Sequence, residues 1–199
     1  GDTIAALGMI YGSDDSIRFI EHLYRQLCLS SYSSSIEMAK DRGSFPIFNH
    51  DVEKENTFLK RIWTADGVLH EEYLKYGRRN IANLTTAPGG SISLLANLIP
   101  GVFGTTSGIE CAFMANYTRR KKITHEDKNS RIDFIDNVGD KWQEFTVYHP
   151  RIKDWMEATK ETDVKKSPWY NCCAEDLDWP DRVKLQAAAQ KHIDHAISS

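Results

Sequence analysis

The chain has 199 residues, a net charge of −3 and four cysteines. That length suits a single domain, residues 1–199, whose folding would bury about 70% of the surface of the unfolded chain. A near-balanced charge gives no electrostatic drive towards nucleic acid. No apolar run reaches the roughly 18 to 20 residues of a membrane span, and no basic-then-apolar leader opens the chain. The cysteine spacing does not frame a secreted disulfide fold, so a cytoplasmic protein with reduced thiols is expected.

Gly1 precedes an acidic, helix-like start and is given no weight as a possible remnant of expression. Ser13 is placed to cap a helix, with Asp14 and Asp15 at its positive end and Ile17, Ile20, Leu23, Leu27 and Cys28 at helical spacing. This helix is expected to run through Ile36, Met38 and Ala39 and to stop at Gly43, just before Pro46. The serines from Ser30 to Ser35 offer either a close packing surface or a kink.

Helical spacing returns between Asp51 and Lys75, with Val52, Phe58, Leu59 and Ile62 in one segment and Val68, Leu69, Tyr73 and Leu74 in the next, broken near Asp66-Gly67 and ended by Gly77. Ile81–Thr86 reads as a strand, and Asp140–Tyr148 alternates as a further strand should. Pro150 opens a helix through Ile152, Trp155, Met156 and Thr159, and Lys160–Pro168 is a polar loop. A last helix from Asp178-Trp179-Pro180 carries Leu185, Ala188, Ala189, His192 and Ala196 on one face. Trp142, Trp155 and Trp179 are expected in the core. Strands alternating with helices indicate an α/β fold.

The chemistry centres on Asn80–Arg120. Ala87-Pro88-Gly89-Gly90-Ser91 leads into the apolar run Ile92-Ser93-Leu94-Leu95-Ala96, bringing free N–H groups, a positive dipole end and the hydroxyls of Ser91 and Ser93 to one point, which suits a phosphate. The spacing is neither the Walker pattern nor the dinucleotide fingerprint, and a plain strand-to-helix turn explains the glycines equally well. The run Arg119–Lys122 reads as a solvated strand end. Cys172 and Cys173 are adjacent, do not form a Cys-x-x-Cys motif, and read as inert. His192 and His195 lack a third ligand, so no metal site is assigned.

Asn83-Leu-Thr-Thr-Ala-Pro-Gly-Gly-Ser-Ile-Ser93, Ser107-Gly-Ile-Glu110 and Tyr117-Thr-Arg-Arg120 together resemble the catalytic-subunit signature of ribonucleotide reductases. Gly8–Gly12, Ser35–Pro46, His149-Pro150 with Trp155-Met156, and Gln186–Ser198 resemble the same subunit in the same order, the last most closely in the adenosylcobalamin-dependent class.

The resemblance implies part of a ten-stranded α/β barrel. It implies that Ala87, Pro88, Gly89, Gly90, Ser91, Ile92 and Ser93 cradle the diphosphate of a nucleoside diphosphate or triphosphate substrate, with Glu110 nearby. It also implies adenosylcobalamin as cofactor, held by parts outside this chain, and radical reduction of a ribonucleotide at its 2′ carbon. The family's thiyl-radical cysteine sits in an Asn-x-Cys-x-Glu loop upstream of the matched region, with its reducing pair also outside. The chain is read as lacking that loop, so no catalytic residue is assigned and inactivity alone is expected. Gly89 stands where the family usually has Thr, Cys111 where it has Pro, and Asn97–Phe103 looks inserted. The alternative is a diverged binding or interaction module without redox chemistry. Part of a barrel would expose strand edges and apolar faces, so a partner segment, a second chain or self-association is expected.

Overall fold

In the computed structural model of the chain, residues 1–97, 99, 108–124, 127 and 130–198 are described. A short helix α1 (Asp2–Ala6) precedes α2 (Asp14–Arg42), whose start is capped by the Ser13 side chain accepting from the Ser16 N–H. Asp14 and Asp15 face the positive end of α2 and Lys40 and Arg42 the negative end, and Gly43 stops it at φ 73°. The helix is unbroken across its serines, which resolves packing surface against kink. Ser35 is fully buried; its hydroxyl exchanges hydrogen bonds with Asn80, and its carbonyl accepts from the Arg79 N–H at 3.0 Å.

Next come α3 (His50–Glu53), α4 (Thr57–Ala65) and α5 (Gly67–Tyr76). Asp66 separates the last two and caps α5 by accepting from the Leu69 N–H at 3.0 Å. Gly77 ends α5 at φ 69°, where a Cβ would come within 2.8 Å of the Phe48 ring. Leu59, Ile62, Trp63, Leu69 and Tyr73 pack on Cys28, Tyr32 and Ile36 of α2 as one core cluster. Val52, Val68 and Leu74 are exposed, as are Leu23 and Leu27 on α2, so the buried stripes are narrower than the apolar spacing predicts.

Helix α6 (Gly90–Asn97) follows the glycine turn. Strands β1 (Asn116–Lys122), β2 (Phe134–Ile135) and β3 (Lys141–Tyr148) form an open antiparallel sheet in the order β1-β3-β2, registered by Asn116 opposite Tyr148 and Phe134 opposite Trp142. The basic residues of β1 are exposed, with Arg120 paired to Glu144 at 2.9 Å and Lys121 to Asp127 at 2.7 Å, which is solvated strand chemistry. Helix α7 (Pro150–Thr159) begins at Pro150 as expected, a single 3₁₀ turn (Val164–Lys166) interrupts the polar loop, and α8 (Trp179–Gln190) closes the helical set.

Four expectations change. Ile81–Thr86 is not a laddered strand: it is extended, with one parallel bridge from Thr86 to Ile197. Helix α8 stops at Gln190, short of His192 and Ala196, because the Gln190 side chain turns back to the carbonyls of Ile193 and His195 and the N–H of Ile197. Trp179 is 73% exposed rather than in the core. Gly1 is not idle either, since a Cβ there would meet the Glu110 carbonyl at 2.5 Å. The second core cluster gathers Ile4, Tyr11, Ile20, Ile109, Ile152, Leu185 and Ile193, and Leu84 packs against both clusters. The sheet is open, and a ten-stranded barrel is not among the described residues.

Candidate functional site

The glycine turn hangs from a strip of backbone held by side chains. Arg78 is buried, with Nη2 on Glu53 Oε1 at 2.5 Å, Nε on Oε2 at 3.1 Å, and Nη1 donating to the carbonyls of Asn80 and Ile81 at 2.6 and 2.7 Å. Its guanidinium also lies over the rings of Tyr32 and Phe45. A buried charge tolerates this position only because every face of it is matched.

Three residues further on, Asp194 takes the role a neighbouring strand would have. Its carboxylate accepts the Asn83 N–H at 2.7 Å, the Leu84 N–H at 2.8 Å and the Tyr32 hydroxyl at 2.9 Å. This is why Ile81–Thr86 does not ladder: two of its amides are occupied by a side chain. The following atoms do pair, with His195 N–H to Leu84 O at 3.1 Å, Thr86 N–H to Ala196 O at 3.1 Å and Ser198 N–H to Thr86 O at 2.9 Å. Burial, with the Asp194 charge and hydrogen bond added, pushes the Tyr32 hydroxyl pKa well above its ordinary value.

From Thr86 the chain passes through Ala87 and Pro88 to Gly89, whose carbonyl accepts the Ser93 N–H at 2.8 Å and so starts α6. By helix geometry the N–H groups of Gly90, Ser91 and Ile92 have no intrahelical acceptor. Ser91 is exposed, Ser93 half-buried, and Ile92 74% exposed. Neither Gly89 nor Gly90 has a positive φ, and a Cβ on either would meet nothing within 4 Å. No contact within the described chain therefore demands glycine at either position.

Gly108, at φ 52°, brings the second motif to the same place: a Cβ there would come within 2.9 Å of Thr86 Cγ2. Ile109 is buried, and its carbonyl accepts from the Tyr11 hydroxyl. Glu110, half-buried, follows directly. Thr105–Ser107 and most of the inserted-looking Asn97–Phe103 lie outside the described residues. Cys111 is buried in the core, and burial pushes its thiol pKa up.

The reading that no Asn-x-Cys-x-Glu run exists fails on the sequence itself, since Asn171-Cys172-Cys173-Ala174-Glu175 has that spacing. The geometry does not gather it into a site. Cys173 is fully buried, its thiol pushed up to about 12 by burial and nearby acidic groups, while Asn171 and Glu175 are exposed. All four cysteines are free, and among the described residues no three His, Cys, Asp or Glu side chains cluster as metal ligands. No described helix is long and apolar enough to cross a membrane.

These features define a largely helical protein with a small open antiparallel sheet, whose glycine turn leads into the N-terminal end of α6. The ribonucleotide reductase barrel-domain profile matches residues 1–199, and the chain belongs to that family. Two vitamin B12-dependent ribonucleoside-diphosphate reductases of Mycobacterium tuberculosis, from strains CDC 1551 / Oshkosh and ATCC 25618 / H37Rv, are each 24% identical over 211 residues. Those alignments cover 99% of this chain and 25% and 24% of the relatives, so the chain spans about a quarter of their length. Among the described residues a cleft of about 710 Å³ lies between His50, Lys54, Trp63 and His70, the size that takes a drug-sized ligand.

Proposed function

We propose that this chain supplies the substrate-diphosphate loop of a ribonucleotide reductase, as one domain, to a barrel completed by another segment or a second chain. In this role Ala87–Ser93 cradle the diphosphate of a ribonucleotide, and Glu110 lies beside the substrate region. The observation that carries the reading is the start of α6. By helix geometry three N–H groups there lack an intrahelical acceptor and Ser91 is exposed, next to two glycines that no contact among the described residues requires. Each oriented N–H and the helix dipole favour an anion, typically by about 0.3–1 kcal/mol at an exposed site. The absent Cβ atoms let phosphate oxygens reach the backbone.

The relatives' names support a ribonucleoside-diphosphate substrate and a B12-dependent reduction in the complete enzyme. In that enzyme the cofactor would generate the radical, while the residues here bind and orient the substrate. With Cys173 sealed in the core, the isolated chain does not turn over. The exposed apolar residues Leu7, Ile10, Ile92 and Leu95 support a missing partner surface, filled by the rest of the barrel or by self-association.

Calorimetry separates the outcomes. Heat with a nucleoside diphosphate and none with the parent nucleoside supports the loop; no heat with any nucleotide overturns it. A reductase assay with adenosylcobalamin and a dithiol should show no turnover by the chain alone. Turnover that disappears in Cys173→Ser would instead locate the radical cysteine here. The second reading, phosphate binding without redox chemistry, draws on the missing hydroxyl at Gly89 and the thiol at Cys111. It predicts nucleotide binding that persists while every completed assembly remains inactive.

A further inference from the structure

A basic pocket lies between α2, α4 and the turn that follows α8. Its floor is apolar, made by Cys28, Leu29, Phe58, Ile62 and Ala65, and its walls carry Arg25, Arg61, Lys191 and His192. The cavity measures about 60 Å³, room for a few water molecules or one tetrahedral oxyanion but not for a nucleoside.

The charges around it are unbalanced. Lys191 is paired with Glu21 at 3.1 Å, but among the described residues Arg25 and Arg61 have no carboxylate within ion-pair distance. The Arg61 guanidinium is held over the Phe58 ring at 5.5 Å, which fixes its plane before any ligand arrives. His192 Nε2 is buried and, among the described residues, has no hydrogen-bond partner. A buried polar atom left unmatched costs on the order of 1–3 kcal/mol, so it marks a place for a partner.

We propose that this pocket binds a single phosphoryl group, as free phosphate or as the end of a phosphorylated metabolite, between Arg25, Arg61 and His192. Two guanidiniums supply forked donors matched to phosphate oxygens, the apolar floor limits screening, and Nε2–H of a protonated His192 completes the shell. In the empty pocket His192 is held below its ordinary pKa by burial and by the charges of Arg61, Lys191 and Arg25, with Glu21 opposing. The buried Cys28 thiol beneath, pushed up to about 12, stays neutral. An arriving dianion reverses the balance at His192, so binding takes up a proton at the imidazole and, for sulfate, which does not itself titrate, tightens as pH falls towards the lowered imidazole pKa.

The test is imidazole NMR of the 199-residue chain titrated with inorganic phosphate. Sulfate serves as a tetrahedral anion that does not titrate in this range, and chloride sets the ionic strength. The expected result is a saturable His192 shift with both oxyanions, an upward pKa shift of about one unit, and roughly tenfold weaker binding in each of Arg25→Gln and Arg61→Gln. Both arginines are exposed, so the variants should fold. An equal response to a nucleoside diphosphate identifies the phosphorylated end of a metabolite as a ligand, and a response to inorganic phosphate alone identifies the free ion. A silent His192, or a response unchanged in both arginine variants, overturns the proposal. The amides of Gly90–Ser93 report on the diphosphate loop in the same sample, so failure at one site is distinguishable from failure at the other.

Discussion

Removing the Asp194 carboxylate should unfasten the strip that carries the glycine turn. Its oxygens accept the Asn83 N–H at 2.7 Å, the Leu84 N–H at 2.8 Å and the hydroxyl of the fully buried Tyr32 at 2.9 Å. A hydrogen bond to a charged group contributes about 1.5–3 kcal/mol, and the three share one acceptor, so their losses do not simply add. Asp194 is half-buried, and water can partly replace it after truncation. Asp194→Ala is therefore expected to cost about 3–4 kcal/mol, and Asp194→Asn, which keeps one acceptor, about 1–2 kcal/mol. For a chain of this size Asp194→Ala should lower Tm by roughly 6–16 °C. Urea denaturation measures the loss, and amide exchange at Asn83 and Leu84 localises it. A loss below about 0.5 kcal/mol with both amides still protected would refute the anchor.

Glu53→Gln should destabilise by about 3 kcal/mol or more, read from the urea midpoint, because it strips the buried Arg78 of its only carboxylate among the described residues. Stability should also fall below about pH 6.5. His149 is held below its ordinary pKa of 6.5 chiefly by burial, against the pull of Asp2, so the unfolded chain takes up the proton first. The contribution is complete above pH 6.5 and is lost as pH falls towards the folded pKa, with a slope of at most about 1.4 kcal/mol per pH unit. His149→Gln should flatten urea midpoints measured from pH 8 to 5.5; an unchanged slope would contradict this. All four cysteines are buried, and the thiols of Cys28 and Cys173 are pushed up to about 12. Alkylation at pH 8 should be slow in the native protein and complete after unfolding, as mass spectrometry would show.

Local chemistry was readable where it acts over a few residues. Ser13 and Gly43 bound α2, Asp66 divides α4 from α5, Pro150 opens α7, and the alternation from Trp142 to Tyr148 becomes β3. What could not be read is long-range. Asp194 sits 111 residues from Asn83 and looks like one more polar residue near a helix end, yet it replaces strand pairing for Ile81–Thr86. The end of α8 at Gln190 depends on a side chain folding back, which helical periodicity does not register. The two-residue β2 is too short to leave a pattern. At the glycine turn the residues suggested a phosphate, and the structure adds that neither glycine has a steric or φ requirement among the described residues.

The claim that Ala87–Ser93 hold a diphosphate is tested most directly by the amide NMR signals of Gly89–Ser93 during titration with a nucleoside diphosphate, in the native chain and in Gly90→Ala. The added methyl meets nothing among the described residues, so the variant should fold with unchanged or slightly higher stability. The account predicts saturable shifts at these amides with the diphosphate and none with the nucleoside, weakened severalfold in Gly90→Ala. Amides that stay put, or shifts of equal affinity in native chain and variant, would contradict it.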